Sequence, residues 1–177
     1  MIYFSADHHF GHVNKFGGII KFCNRPFRDV DHMEEELVTR WNSRVRSSED
    51  IIYYLGDFKW KTSQFNTHYY REMLNGQIVF IKGNHDKQNG TNTVLDYAVI
   101  TMMGRKILLI HNSDYAIASN IYYDMVLCGH SHNKWKIKQV NGKYFINIGV
   151  DVWDYEPVDM HQIIRYIKRY ERGLECS

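Results

Sequence analysis

Gly83-Asn84-His85-Asp86 follows the apolar run Ile78-Val79-Phe80-Ile81, so a segment built like a buried strand ends abruptly in an amide, an imidazole and a carboxylate. The same transition recurs elsewhere. Ile2-Tyr3-Phe4 leads to Asp7 and His9, Ile51 to Leu55 leads through Gly56 to Asp57, Lys106 to Ile110 runs into His111, and Met125 to Cys128 is followed by His130 and His132. Taken alone, Asp-x-His also fits a satisfied surface pair. Average residue usage, however, places Gly-Asn-His-Asp in roughly one chain in a thousand of this size, and the ordered set is rarer still. In an open α/β sheet, ligands bind in the crevice beyond the carboxyl ends of the strands. Asp7, His9, Asp57, Asn84, His111, His130 and His132 are therefore expected to converge there.

Imidazole, carboxylate and amide oxygen without thiolate suit borderline first-row ions such as manganese, iron or zinc better than a structural zinc cage. Seven donors are too many for one catalytic ion that keeps an open position, so the set implies two ions sharing a bridge. Asp57 is the natural bridge, because a carboxylate has lone pairs enough to reach both. Asn84 is assigned to an ion. His85, its neighbour, is not needed as a ligand and is assigned to stabilising or protonating a leaving group. Asp86 is expected to accept a hydrogen bond from His85 and fix its tautomer. His8, His12, His32, His68 and His161 fit no ligand slot and read as surface residues, with position arguing for exceptions at His8 and His12.

The elements that must position these groups follow from periodicity and turn chemistry. Besides the strands already named, a helix is expected from about Asp31, opened by a capping box at Asp31-His32-Met33-Glu34, to Arg46, with Met33, Leu37, Trp41 and Val45 at helical spacing. Gln64 to Leu74 reads as a helix stopped by Asn75-Gly76, and Met160 to Glu171 as a terminal amphipathic helix. Val94 to Met103 and Lys106 to Ile110 read as strands joined around Gly104-Arg105. Asn89-Gly90 signals a turn, and Asp114 to Tyr123 is ambiguous. Asn141-Gly142 between Trp135 to Val140 and Tyr144 to Ile148 is a hairpin signal, and Gly149 to Pro157 reads as loop. Asn14 to Arg28 is irregular, with a short helix around Ile19 to Phe22. Its Lys15, Lys21, Arg25 and Arg28 fit either a solvated loop or one facing substrate.

At 177 residues the chain is expected to form a single domain, residues 1–177, and its 44% hydrophobic and 24% charged composition is that of a globular protein. The net charge of +2 is weaker than the basic bias usual in a protein that tracks a long nucleic-acid backbone, and it does not exclude one that takes a short oligonucleotide. The N-terminus lacks a signal-peptide pattern and no run reaches membrane-spanning length, so a cytoplasmic protein without membrane contact is expected. Cys23, Cys128 and Cys176 have no paired spacing and read as reduced thiols.

The ordered motifs Asp7-x-His9, Gly56-Asp57, Gly83-Asn84-His85-Asp86, a lone His111 and Gly129-His130-x-His132 resemble the calcineurin-like metallophosphoesterase superfamily, and closest the small single-domain bacterial and phage-type members. Those members also tend to carry segments resembling Arg25-Pro26-Phe27 and Gly149-Val150-Asp151-Val152-Trp153. The resemblance implies an α/β fold, a four-layered α/β/β/α sandwich of two facing mixed sheets. It implies one ion on Asp7, His9, Asp57 and His132 and another on Asp57, Asn84, His111 and His130, with manganese first and iron, zinc or nickel as alternatives.

The implied activity is phosphoester hydrolysis by a metal-bridging hydroxide. A phosphodiesterase acting on a nucleotide, a cyclic phosphodiester or a short nucleic-acid end is favoured over a phosphomonoesterase, and a catalytically silent scaffold comes last because every ligand is kept. Asn84, Arg25 and Phe27 are candidate substrate contacts, with Arg25 holding a second phosphate and Phe27, Trp60 or Trp153 stacking a base. No obligate protein partner is evident, and nothing in the pattern sets an oligomeric state. Two departures bear on substrate: Phe58-Lys59-Trp60 follows Gly56-Asp57 where many relatives have a further Asp or His, and Asn112 follows His111 where many have an aromatic.

Overall fold

Short apolar strands bury both faces when sheets pack on each other, and that pressure produces two sheets here. The computed structural model describes residues 1–87, 90, 91, 93 and 95–174. Asn89 of the expected turn, Val94 at an expected strand start and Cys176 lie outside them. In the first sheet β1 (Ile2–Ser5), β2 (Ile51–Tyr54) and β3 (Gln77–Phe80) run parallel, and the two-residue β9 (Val158–Asp159) joins β1 antiparallel. That short strand falls just beyond the stretch read as loop, which itself holds a 3-10 turn at Val150–Val152.

The second sheet comprises β4 (Tyr97–Met102), β5 (Arg105–Ile110), β6 (Met125–Cys128), β7 (Ile137–Val140) and β8 (Lys143–Asn147), in the order β4-β5-β6-β8-β7. Its central β5, β6 and β8 are parallel and its outer strands antiparallel. Both hairpins close as two-residue turns with positive φ, Met103-Gly104 and Asn141-Gly142. Arg105 thus belongs to the strand, one residue from the expected turn.

Alternation along the strands sorts side chains into layers. Phe4, Leu55, Ile107, Leu109, Leu127 and Ile146 meet between the sheets, where Ile163 and Ile167 of α5 (Met160–Glu171) join them. Leu108, Val126 and Phe145 point the other way, onto Ala116 of α4 (Ser113–Ala118). On the far side of the first sheet, α1 (Gly18–Phe22), α2 (Val30–Arg44) and α3 (Thr67–Glu72) cover Ile52 and Tyr54. The order helices, sheet, sheet, helix is the α/β/β/α sandwich. No helix among the described residues is long and apolar enough to cross a membrane.

Helix α2 starts earlier than its sequence suggests. Asp29, not Asp31, is the cap, its carboxylate accepting the His32 amide at 2.8 Å. Met33, Leu37 and Trp41 form its buried stripe, and the Trp41 indole donates to the Asn75 carbonyl at 3.0 Å. Truncating the fully buried Trp41 to Ala is expected to cost about 3–5 kcal/mol, measured by denaturant unfolding. A loss below about 1 kcal/mol would mean that this stripe does not anchor the helix.

Candidate metal centre

Beyond their carboxyl ends, the strands hand their chains to one small volume. The Asp7 amide donates to the Gly56 carbonyl at 3.0 Å and the His9 amide to the Asp57 carbonyl at 3.1 Å, so the loops after β1 and β2 stay paired. Asp7, His9, Asp57, His130 and His132 all have positive φ, between 48° and 69°. Left-handed backbone costs a non-glycine residue about 1–3 kcal/mol and persists where the surroundings over-determine it. Here it breaks strand alternation and turns successive side chains inward. The loops also approach too closely for ordinary residues. A Cβ on Gly149 would stand 2.6 Å from Asp7 Oδ2, and one on Gly83 would collide with the Asp57 carboxylate.

Asp57 Oδ2 lies 3.6 Å from His9 Nε2 and 3.4 Å from His111 Nε2. On the outer side, Asn84 Oδ1 is 2.9 Å from His111 Nε2 and 2.8 Å from His130 Nδ1. Donor atoms of Asp7, His9 and His132 fall within 4.8 Å of one another, as do those of Asp7, Asp57 and His111. All seven residues predicted as ligands are therefore brought together, with one Asp57 oxygen between the two groups.

The donor set fits cations. Asp7 Oδ1 and both His9 ring nitrogens are buried without a hydrogen-bond partner, an arrangement that is costly unless something binds there. Burial pushes the Asp7 carboxyl up to about 6 and holds the His9 imidazole well below its usual value, keeping it a neutral donor. His111 titrates at about 9: burial opposes its charge, but the Asp57 hydrogen bond and the nearby Asp7 outweigh it. Asp57 itself is held below the usual carboxylate range; burial works against this, and the contact with His111 prevails. In effect the imidazolium fills part of the role a cation would take.

Neighbouring groups keep the loops in place. Asp86 accepts hydrogen bonds from the Asp57 and Gly83 amides, each at 2.8 Å, and the Phe58 amide at 3.2 Å. This is a positioning role, clamping two loops together. The His85 amide donates to Asp57 Oδ1 at 2.8 Å, and the His85 ring stands exposed 4.8 Å from the Trp60 ring.

Arg25 and Phe27, expected as substrate contacts, are instead buried and engaged inside the protein. The Arg25 guanidinium is buried, bonding both oxygens of Asp151 at 2.8 and 3.0 Å and the Asp7 and His8 carbonyls at 2.7 and 2.8 Å. Phe27 is buried edge-on against Tyr155. Trp153 is also buried, its indole donating to the Asn147 carbonyl. Burial leaves these groups little surface to offer a phosphate or a base. Of the three proposed stacking residues only Trp60, face to face with His12 at 3.7 Å, borders the centre and is partly exposed. His8 is fully buried, with Nδ1 2.9 Å from the Tyr54 hydroxyl, and His12 is buried as well. Asn112 caps α4 by accepting the Asp114 amide.

Asp151 is the functional residue that sequence reasoning left without a role. Its Oδ2 lies 3.0 Å from His132 Nδ1, which leaves Nε2 for a ligand and lifts His132 to about 10 against the opposing effect of burial. Cys23 completes a cluster with His132 and Asp151, but the Arg25 guanidinium already neutralises that carboxylate, so the cluster is a poor cation site. The available signal was a lone acid inside the apolar run Gly149-Val150-Asp151-Val152-Trp153.

A sandwich of two mixed sheets with carboxylates, imidazoles and an amide gathered at the strand ends defines a metal-dependent phosphoesterase architecture. The chain belongs to the calcineurin-like phosphoesterase superfamily, whose domain profile matches residues 30–160. An uncharacterized protein of Methanocaldococcus jannaschii is 38% identical over 172 residues, covering 95% of this chain and 92% of that protein. A crystal structure of a protein of unknown function from Aquifex aeolicus superposes with a TM-score of 0.71 at 26% identity, covering 94% of this chain and 98% of that one.

Two outcomes follow from Asp151. Asp151→Asn is expected to weaken metal binding about 10–100-fold, measured by competition with a chelator, because His132 loses the carboxylate that orients it. In the metal-free protein, His132 has a folded pKa above its usual value. Its contribution to stability is therefore full below about 6.5 and lost as pH rises through about 10. Unfolding free energies across that window should fall for the wild type and stay flatter for Asp151→Asn.

Proposed function

We propose that the chain is a dinuclear-metal-dependent phosphodiesterase. The observation that carries this reading is Asp57 Oδ2 standing between His9 Nε2 at 3.6 Å and His111 Nε2 at 3.4 Å, which is the disposition of a bridging carboxylate. Asp7, His9, Asp57 and His132 would hold one divalent cation and Asp57, Asn84, His111 and His130 the other. The donor types suit borderline first-row ions such as manganese, iron or zinc, and the family resemblance puts manganese first, with nickel a further alternative. When bound, such a pair supplies Lewis acidity toward water and toward the phosphoryl oxygens.

The chain's own residues do the rest. Water gives up a proton to solvent as it adds to phosphorus, the bond to the leaving oxygen breaks, and that oxygen takes a proton from His85, which regains one from solvent and whose exposed ring is tied by its own backbone to Asp57. Asp86 keeps the Asp57 and Gly83 loops in register so that His85 and Asn84 face the same phosphate. A diester is favoured over a monoester because the centre opens sideways into a groove that gives a second ester substituent somewhere to lie.

Protein stripped of metal and resupplied with manganese is expected to hydrolyse bis(p-nitrophenyl) phosphate well. A strong preference for p-nitrophenyl phosphate would identify a monoesterase instead. Asp57→Ala should abolish activity and reduce bound metal below two ions per chain, and full metal content would refute the bridge. His85→Ala should keep its metal and lose about 10²–10⁴ in turnover, least with activated leaving groups. Equal losses for good and poor leaving groups would count against an acid role.

A further inference from the structure

The groove beside the centre encloses about 660 Å³ and begins at Asn84, His111 and His130. Its walls include two partly exposed tyrosines. Tyr97, at the start of β4, is 47% exposed, and Tyr115, on α4, is 68% exposed. Ile110 and Ile121 supply apolar lining, and Lys82 and Lys87 stand on the wall with Asp96, which lies 3.5 Å from the Lys82 ammonium. His85 is not part of this lining. It faces Trp60 and His9 on the other side of Asn84.

We propose that this groove is a nucleoside-binding subsite, in which a base lies against Tyr97 or Tyr115 while its phosphate reaches the Asn84-His111-His130 end and the two lysines draw in the anion. The inference rests on the phosphoesterase reading and names the substrate class for it. The volume is that of pockets enclosing a molecule of nucleotide size. Partly exposed aromatic faces set among apolar side chains favour a flat heterocycle, since stacking on an aromatic side chain contributes about 1–3 kcal/mol per base without demanding a particular base. A sugar phosphate offers no such face. A long polyanion would call for more cations than two lysines, one of them beside an acid. The groove and His85 lie on different sides of Asn84, so the nucleoside and the leaving group would part in different directions.

The test uses the full chain loaded with manganese and two non-hydrolysable phosphonates, adenosine 5′-methylenephosphonate and propylphosphonate, which share the anion but not the base. Calorimetry should show the nucleoside compound binding at least about tenfold tighter, within the range that stacking supplies. Tyr115→Ala, a change at an exposed position that leaves the core intact, should bring the ratio toward one, alone or with Tyr97→Ala. Lys87→Ala should weaken both ligands and preserve the ratio. Equal wild-type binding of the two phosphonates, or a ratio untouched by both tyrosine substitutions, would overturn the subsite. Turnover of bis(p-nitrophenyl) phosphate by the same preparation separates the two ideas. Turnover without nucleoside preference removes the groove proposal alone, whereas preference without turnover removes the esterase reading and keeps the groove.

Discussion

Asp7 and Asp57 are sealed from water where the ends of the two sheets meet, and the surrounding structure is arranged to meet the cost of burying two acids side by side. Water is the best solvent for a carboxylate, and a buried one survives as an anion only with charge or hydrogen-bond donors around it. Asp57 has the His85 amide, the His111 ring and the nearby His9. Asp7 has the His130 amide at 2.8 Å on one oxygen and, on the other, no hydrogen bond and only the His111 ring at 4.0 Å. The imbalance explains why burial lifts Asp7 to about 6 while Asp57 stays low. It is also what makes the centre receptive to cations, because divalent charge is the remaining term that would balance both acids.

Holding these side chains together requires backbone that the strands do not provide. Five of the convergent residues sit in left-handed conformation, and the loops between them approach closely enough that a methyl group at Gly83 or Gly149 would collide with a carboxylate. Strain of this kind is tolerated only when neighbours over-determine it. Asp86 does so with three amide hydrogen bonds on one flank. On the other flank Arg25 does so, with Asp151 and the carbonyls of Asp7 and His8 as its partners. The two clamps are chemically opposite, an anion gathering amides and a cation gathering carbonyls, and each ties residues distant in sequence.

With Arg25 so engaged, the charge available to a substrate lies elsewhere. The basic loop around Lys15 and Lys21 loses its central cation to the interior, and the lysines beside the centre are Lys82 and Lys87 in the groove. Aromatic character shifts the same way: Phe27 and Trp153 support the scaffold, while Tyr97, Tyr115 and Trp60 border open space. Departures noted in the chain, Asn112 after His111 and Phe58-Lys59-Trp60 after Asp57, are absorbed by local structure, as a helix cap and as a buried segment leading to the His12-Trp60 stack.

Much of this was legible in the residues themselves. Continuous apolar runs ending in ligand-type side chains located the strands, and seven donors ordered along five strand ends implied a shared centre, because parallel strands deliver their carboxyl ends to one edge. Hairpin turns at Asn141-Gly142 and the buried stripe of α2 were equally plain, being local in cause. What only the tertiary structure decided are the long-range partners. Arg25 and Asp151 are 126 residues apart, and no periodicity ties a loop arginine to an acid after β8. Whether a charged or aromatic loop residue faces substrate or is drawn inward depends on which counter-charge the fold places within hydrogen-bond reach. That is set by how the two sheets close on each other and not by the neighbours of the residue in the chain.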